Sequence, residues 1–472
     1  MALQHLVTSW TPRSFQMDGV VLCLKQACAG LLYKPGLGKT SVMYMVFRIL
    51  QDKGFVQKCL VICPLRPSYV VWPHQKDRYE EFQHLRVNIL HGKEKEKSLI
   101  DDDADIYVIN PEGLAWLTGA YSVGGKVKFD AKRIAYVKKK FPMLIVDEST
   151  KFRNPQTGRF KLLRALVPHF KRRYILTGSF TPKSLLDLFG QVYILDEGQS
   201  LGRYISKYRN EYFYPGGYGG FDWTPQPDAA DRIAKAIAPL VQVVEQKGNV
   251  DVPALLINDI YVVMDKDAKK SYVAMENEML TAIESGAVVA ANAAVASGKC
   301  RQIANGAVYD EFGDWHPVHD LKIDALEELI EQLQGQPLLI TYQFEFDKER
   351  IAARLKIPCI STGNIKKDTE YIQKFARGEL IAVMGHPQSV SLGTDGLQDS
   401  CHDIAMVGVP WSFLDYEQTI DRVKRQGNTS DFVTVHRILT ADTVDERVIS
   451  VLEGWEKNQA EFMKLLKRMT KR

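Results

Sequence analysis

The segment at residues 33–41 constrains the fold more than any other part of the chain. An apolar run, residues 30–33, leads into a glycine-containing turn, and a helix-prone run, residues 41–50, follows at once. A strand, a glycine turn and a helix start aim free backbone N–H groups at a phosphate. The usual first glycine of such a phosphate loop is replaced by Tyr33. Taken alone, the pattern fits a nucleotide site or a capped helix start.

The residue types of this loop predict a role for several positions. Glycines let the backbone approach an anion closely, the Lys39 ammonium would reach the outer phosphates, and the Thr40 hydroxyl would hold Mg²⁺. The predicted nucleotide-binding loop comprises Pro35, Gly36, Leu37, Gly38, Lys39, Thr40 and Ser41.

The residues after the loop predict an α/β fold with a parallel sheet. Short continuous apolar runs at residues 59–64, 87–90, 106–109 and 141–146 alternate with helical stretches. Strands of this kind belong to parallel sheets that are covered on both faces. We therefore expect ligands at the edge of the sheet where the strands end.

Two acids, Asp147 and Glu148, end the last of these apolar runs. Adjacent carboxylates are costly to bury unless they meet a cation or polar partners. Asp147 is placed to hold Mg²⁺ through water, and Glu148 is placed to orient and deprotonate an attacking water. A helix-capping acid pair is the alternative.

Two further polar groups flank this predicted site. Thr177 and Ser179 follow a strand-like run at residues 173–176, so their hydroxyls could sense the phosphate site, although a plain polar turn has the same composition. Gln16 lies one predicted helix before the loop, and its amide can donate to and accept from an adenine edge. A surface polar residue is the alternative for Gln16.

The second half of the chain repeats the α/β alternation. Apolar strand runs at residues 338–342, 381–384 and 404–407 are separated by helical stretches. The prediction is two RecA-like parallel-sheet lobes of a phosphate-loop NTPase with a helical insertion between them. Its predicted parts are residues 1–198, 199–317 and 318–472.

Gln418, Arg422 and Arg425 are spaced i, i+4 and i+7, which predicts that they line one helix face. One amide and two guanidinium groups can clamp a polyphosphate through bidentate hydrogen bonds. A solvated basic face is the alternative.

The composition of the 472-residue chain is that of a globular protein, with 45% hydrophobic and 25% charged residues. No apolar run is long enough to span a bilayer, and the first ten residues do not resemble a signal peptide. Seven cysteines without a CxxC pair suit reduced thiols, so we expect a cytoplasmic protein with no membrane partner. A net charge of +4 permits a nucleic-acid partner but does not argue for one.

Taken in order, these motifs resemble the superfamily-two helicases, and among them the Swi/Snf-related DNA translocases, most closely the short phage and prophage members. The resemblance implies ATP with Mg²⁺ as cofactors, DNA as the partner, and ATP hydrolysis coupled to closure of the lobes. It also implies that Arg422 and Arg425 are arginine fingers and that Gln418 lies at the nucleotide. Residues implied in nucleic-acid contact or coupling are Arg66, Thr177, Ser179, Ser389 and Gly393.

The fifth family motif departs from its usual pattern. Asp395 stands where Asn is usual, and Gly396 has the character of an insertion. A carboxylate near a phosphate backbone repels it unless a cation intervenes. Besides a DNA translocase or helicase, the sequence therefore leaves open an ATP-gated nucleic-acid clamp and an RNA-dependent ATPase.

Overall fold

The computed structural model divides the chain into two compact units. The first contains residues 1–249 and 457–472, and the second contains residues 250–456. The three-part division predicted from the sequence stays a prediction. The residues that the structure describes are 7–100, 104–123, 126–216, 222–246, 251–284, 289–391 and 396–470.

The first unit is built on a seven-stranded sheet with helices. The strands of this unit are β1 (Cys28–Tyr33), β2 (Cys59–Ile62), β3 (Val87–Ile89), β4 (Ile106–Ile109), β5 (Tyr121–Val123), β6 (Lys126–Lys128), β7 (Met143–Asp147), β8 (Arg172–Thr177), β9 (Phe213–Gly216), β10 (Asp222–Pro225) and β11 (Val241–Val244). Of these, β5 pairs with β6 and β9 pairs with β10 in separate two-stranded sheets. Its helices are α1 (Ser14–Lys25), α2 (Lys39–Asp52), α3 (Leu65–Arg78), α4 (Lys95–Ile100), α5 (Leu114–Leu117), α6 (Ala131–Lys140), α7 (Gly158–Leu166), α8 (Leu188–Asp196), α9 (Ile205–Tyr212) and α10 (Ala229–Ile237).

The order of strands in this sheet creates the site. The order is β11-β1-β8-β7-β2-β4-β3, and its pairings are parallel. The helix after β1 leads to β2, while β8 and β7 lie between these two strands. The connections that leave the neighbouring strands β1 and β8 therefore run in opposite directions along the sheet. Open α/β sheets bind ligands where the direction of the connections reverses in this way. Leu32 of β1 pairs with Thr177, and Asp147 pairs with Leu176, so three strand ends meet at one edge.

The second unit contains a five-stranded parallel sheet of order β12-β18-β17-β15-β16. The strands of this unit are β12 (Ala254–Val262), β13 (Ala307–Tyr309), β14 (Trp315–Pro317), β15 (Leu338–Tyr342), β16 (Ala382–Gly385), β17 (Asp403–Val407) and β18 (Phe432–Thr440). Of these, β13 and β14 form a separate two-stranded sheet. Its helices are α11 (Lys266–Glu284), α12 (Val289–Asn305), α13 (Leu321–Gln332), α14 (Glu345–Leu355), α15 (Ile365–Ala376), α16 (Pro387–Val390), α17 (Phe413–Val423) and α18 (Val444–Thr470), whose last part belongs to the first unit. The two parallel sheets confirm the predicted α/β fold class. Among the described residues, no helix combines the length and apolar character needed to cross a membrane.

The segment predicted as a helical insertion also supplies strands to both sheets. β11 is the edge strand beside β1, and β12 is the edge strand beside β18. Sequence reasoning missed β12 because most of its side chains are exposed, so its apolar residues neither alternate with polar ones nor form a buried run.

Candidate ATP-hydrolysis site

The loop between β1 and α2 has the geometry of a phosphate cradle. Gly36 and Gly38 have φ angles of +80° and +77°, which is the left-handed region that favours glycine. A Cβ on Gly38 would lie 2.3 Å from Nε2 of Gln16, so a side chain here would displace the Gln16 amide from the loop. Lys39 is the first residue of α2, and its Nζ donates to the Tyr33 carbonyl at 2.7 Å.

Neighbouring elements hold the remaining residues of the loop. Nε2 of Gln246 donates to the Pro35 carbonyl at 3.1 Å, and the Leu37 side chain is buried. The Ser41 hydroxyl donates to Oε1 of Gln75 on α3 at 2.6 Å. Ser41 therefore ties α2 to α3.

Gln16 lies beside the loop, as the motif order predicts. Its side chain is buried, Oε1 accepts from the Arg13 amide at 2.8 Å, and Nε2 donates to the Leu37 carbonyl at 3.1 Å. These bonds connect the start of α1 to the phosphate loop. Contact with an adenine base stays a prediction.

Tyr33, which replaces the first loop glycine, anchors this arrangement. Its ring is fully buried, and its hydroxyl lies 3.1 Å from the Phe15 carbonyl and 2.5 Å from Oε1 of Gln242. Nε2 of Gln242 also donates to the Phe15 carbonyl, at 3.0 Å. The hydrogen bonds of Tyr33 on β1 thus connect this strand to α1 and β11.

Asp147 ends β7 with its carboxylate held in place. The Trp72 indole of α3 donates to Oδ2 at 3.2 Å. Burial raises the pKa of Asp147 to about 6, and Lys39 and the Trp72 hydrogen bond only partly oppose that rise. Sequence reasoning missed Trp72, because no local pattern shows which acid an indole 75 residues away will meet. The same helix carries Arg66 at its second position, partly buried.

Asp147 and Thr40 fit a magnesium ion. Asp147 offers a carboxylate whose ionised form is penalised by burial, and a divalent cation would relieve that penalty. Thr40 is the second residue of α2, next to Lys39. A carboxylate and a hydroxyl are oxygen ligands of the kind Mg²⁺ takes alongside waters and phosphates.

Glu148 has an unusual backbone conformation. Its φ of +59° and ψ of +60° are left-handed, which a residue other than glycine rarely adopts. Oε1 accepts from the Thr150 hydroxyl at 2.6 Å, and the Lys151 amide donates to its carbonyl at 3.1 Å. Strain of this kind persists where the surrounding structure enforces it and is typical of functional sites.

Thr177 and Ser179 lie in the turn after β8, with both side chains buried. The Thr177 hydroxyl is 3.5 Å from Oε1 of Glu148 and 3.1 Å from the Ser179 carbonyl. The Ser179 amide in turn donates to the Thr177 oxygen at 3.1 Å. The turn thus touches the predicted catalytic carboxylate, and its role in coupling stays a prediction.

In the second unit, the prediction that three polar residues share one helix face is wrong for Arg425. Gln418 and Arg422 lie on α17, but this helix ends at Val423. The Val423 carbonyl accepts from the Arg425 amide at 3.0 Å and from the Asn428 side chain at 3.0 Å, and these bonds satisfy the end of the helix. Arg425 follows the helix in a bend.

Ser391, at the start of the fifth motif, contacts α17. Nη2 of Arg422 donates to the Ser391 carbonyl at 2.6 Å. Ser389 lies on α16, partly buried, with its amide bonded to the His386 carbonyl. Gly393 lies outside the described residues, and so does Asp395.

The end of α12 is held by a buried polar network that sequence reasoning did not identify. Asn305 is buried, donates to Oδ2 of Asp347 at 2.8 Å and accepts from Nζ of Lys322 at 2.8 Å. Lys322, with no exposed side-chain surface, also pairs with Asp445 at 2.6 Å. Asn305 therefore joins α12 to α13, α14 and α18 through a buried polar network.

Gly190 is a second residue that sequence reasoning missed. A Cβ at Gly190 would lie 2.1 Å from the Phe152 carbonyl and 2.8 Å from the Arg153 carbonyl. The next residue, Gln191, accepts from the Ser149 hydroxyl at 2.7 Å. Close approach of α8 thus supports the turn that follows Glu148.

The fold and this site define a phosphate-loop ATPase built on parallel α/β sheets. The chain belongs to the SNF2-related domain family, which matches residues 11–306, and this confirms the predicted family. Its relatives include protein p41 of Acyrthosiphon pisum secondary endosymbiont phage 1, which is 27% identical over 93% of this chain and 95% of that protein. Another is the chromatin remodeling factor mit1 of Schizosaccharomyces pombe, 26% identical over 34% of this chain and 11% of that protein.

Two solved structures from Sulfolobus solfataricus are also similar. The SWI2/SNF2 ATPase core in complex with dsDNA shares 18% identity, with a TM-score of 0.44 and coverage of 100% of this chain and 99% of that one. The SWI2/SNF2 ATPase core domain shares 19% identity, with a TM-score of 0.42 and coverage of 96% and 90%.

Proposed function

We propose that this protein is an ATP-dependent DNA translocase. The observation that carries the proposal is the convergence of the phosphate loop, the Asp147–Glu148 pair and the Thr177 turn at one edge of the first sheet. Membership of the SNF2-related family supports ATP as the nucleotide and DNA as the polymer.

Each residue of the site has a chemical task in this proposal. Lys39 binds the outer phosphates, and Thr40, with Asp147 through water, would hold Mg²⁺, which would neutralise charge on the phosphate oxygens. Glu148 orients a water molecule and accepts its proton as the water attacks the terminal phosphorus.

The second unit supplies positive charge in this proposal. Arg422 and Arg425 stabilise the negative charge that develops on the transferred phosphoryl group, and Gln418 lies at the nucleotide. An arginine in this role is worth about 10³–10⁵ in rate. Arg425 follows α17 in a bend, so the two proposed arginines do not both lie on the helix.

Movement along DNA follows if both units grip its backbone while ATP is hydrolysed. Such a grip depends mainly on phosphates, so it is independent of sequence and weakens with salt. Arg66, Ser389 and Gly393 are the proposed contacts or coupling residues.

The test is phosphate release from ATP without polymer and with single-stranded DNA, duplex DNA or RNA. Glu148→Gln is measured beside wild type, with the exposed Glu94→Gln as a matched control. Strong DNA stimulation that Glu148→Gln abolishes and Glu94→Gln preserves supports the proposal. Turnover that ignores every polymer refutes it, and stronger stimulation by RNA identifies an RNA-dependent ATPase.

A second assay separates movement from strand separation. A translocase displaces the third strand of a triplex when ATP is added, whereas a helicase also separates a duplex. Salt-sensitive DNA binding with neither displacement nor stimulated hydrolysis would favour an ATP-gated clamp.

A further inference from the structure

The C-terminal part of α18 carries a polar side chain on an apolar face. Gln459, Phe462, Met463 and Leu466 are spaced i, i+3, i+4 and i+7 and are buried, and the three apolar members belong to the core of the first unit. A buried amide costs free energy unless it is hydrogen-bonded. Gln459 therefore needs a partner within this unit.

That partner is the turn beside the predicted catalytic carboxylate. The Ser179 hydroxyl donates to Oε1 of Gln459 at 2.6 Å, and Ser179 and Gln459 are only 1% and 4% exposed. Nearer the C-terminus, Nζ of Lys467 pairs with Glu245 at 2.6 Å. The C-terminal part of the helix is thus attached to the first unit by apolar packing and by polar contacts that include these two.

A chain of contacts leads from Gln459 to Glu148. Ser179 exchanges two backbone–side-chain bonds with Thr177, and the Thr177 hydroxyl lies 3.5 Å from Oε1 of Glu148. Oε1 of Glu148 lies 2.6 Å from the Thr150 hydroxyl and 3.5 Å from the Thr177 hydroxyl, so the Thr177 turn helps to orient the carboxylate. A shift of the turn would therefore reorient the carboxylate.

We propose that Gln459 is a positioning residue for ATP hydrolysis. It fixes the Ser179 turn, which holds Thr177 against Glu148, and so keeps the carboxylate aimed at the attacking water. This inference rests on the proposed ATPase function with Glu148 as the base.

The experiment compares steady-state ATP hydrolysis, with saturating duplex DNA, in wild type and in Gln459→Met, which keeps the length of the side chain but removes its polar atoms. We expect kcat to fall about tenfold because the general base is misaligned. KM for ATP should stay unchanged, since no proposed nucleotide contact is altered. Ser179→Ala should give a similar loss.

The double variant Gln459→Met/Ser179→Ala distinguishes positioning from general damage. Both variants break the same contact, so their losses should not add. Leu466→Ala, on the same helix face, lowers the unfolding temperature but should keep kcat. Unchanged kcat in Gln459→Met, additive losses, or an equal loss in Leu466→Ala would overturn the inference.

The controls also separate this inference from the proposed function. If wild type hydrolyses ATP and Glu148→Gln does not, the ATPase assignment stands whatever Gln459→Met does. If Glu148→Gln keeps full activity, the proposed function fails and the positioning role fails with it.

Discussion

Asp147→Asn should stabilise the first unit while abolishing ATP hydrolysis. The raised pKa means that the folded protein binds the proton of Asp147 more tightly than the unfolded chain does. Ionising this carboxylate at neutral pH therefore works against folding. Asparagine resembles the neutral acid in shape and still accepts from the Trp72 indole, so the variant avoids that penalty.

The magnitude follows from the shift in pKa. A rise from 3.8 to about 6 corresponds to about 3 kcal/mol at pH 7.5, and because the Asp147 residue as a whole is only partly buried we expect between about 1 and 3 kcal/mol. The penalty develops as pH rises from about 4 to about 6, because in that range the folded state holds a proton that the unfolded state has lost. At about 2–4 °C per kcal/mol, the unfolding temperature should rise by about 2–12 °C.

Thermal unfolding followed by tryptophan fluorescence at pH 4 and at pH 7.5 tests this reasoning. Asp77→Asn, an exposed acid at the end of α3, is the control for loss of one negative charge. The rise in unfolding temperature should be present at pH 7.5, nearly absent at pH 4, and absent in the control variant. An unfolding temperature of Asp147→Asn that is unchanged or lowered at pH 7.5, or raised equally at both pH values, would refute this account of Asp147.

Three further predictions concern the supports of the site and the fold. Trp72→Phe removes the donor to Asp147, so at least about tenfold more Mg²⁺ should be needed for half-maximal hydrolysis; an unchanged magnesium titration would contradict this. Gly190→Ala forces the Phe152 carbonyl away and should destabilise the first unit by about 3 kcal/mol or more in urea unfolding, whereas a change below 1 kcal/mol would show that α8 moves freely. Lys322→Met leaves a buried carboxylate without its cation and should destabilise the second unit by about 3–5 kcal/mol; stability that is maintained would mean that water replaces the ammonium.

Local patterns predicted the parts of the site that depend on neighbours in the chain. The phosphate loop is such a part, because Gly36, Gly38 and Lys39 act through adjacent backbone groups at one helix start. Arg425 shows where a local pattern fails. Its i+7 spacing predicted a helix face, but α17 ends at Val423, whose carbonyl accepts a hydrogen bond from the Asn428 side chain.

The sequence by itself determined the fold class, the family and the residue types of the site, because strand-like apolar runs and motif order are local properties. Only the tertiary structure decided which distant groups orient those residues. Trp72 meets Asp147 across 75 residues, and Gln459 meets Ser179 across 280. The physical reason is that these partners are brought together by strand order and helix packing, which depend on the whole core and leave no repeating pattern in the chain.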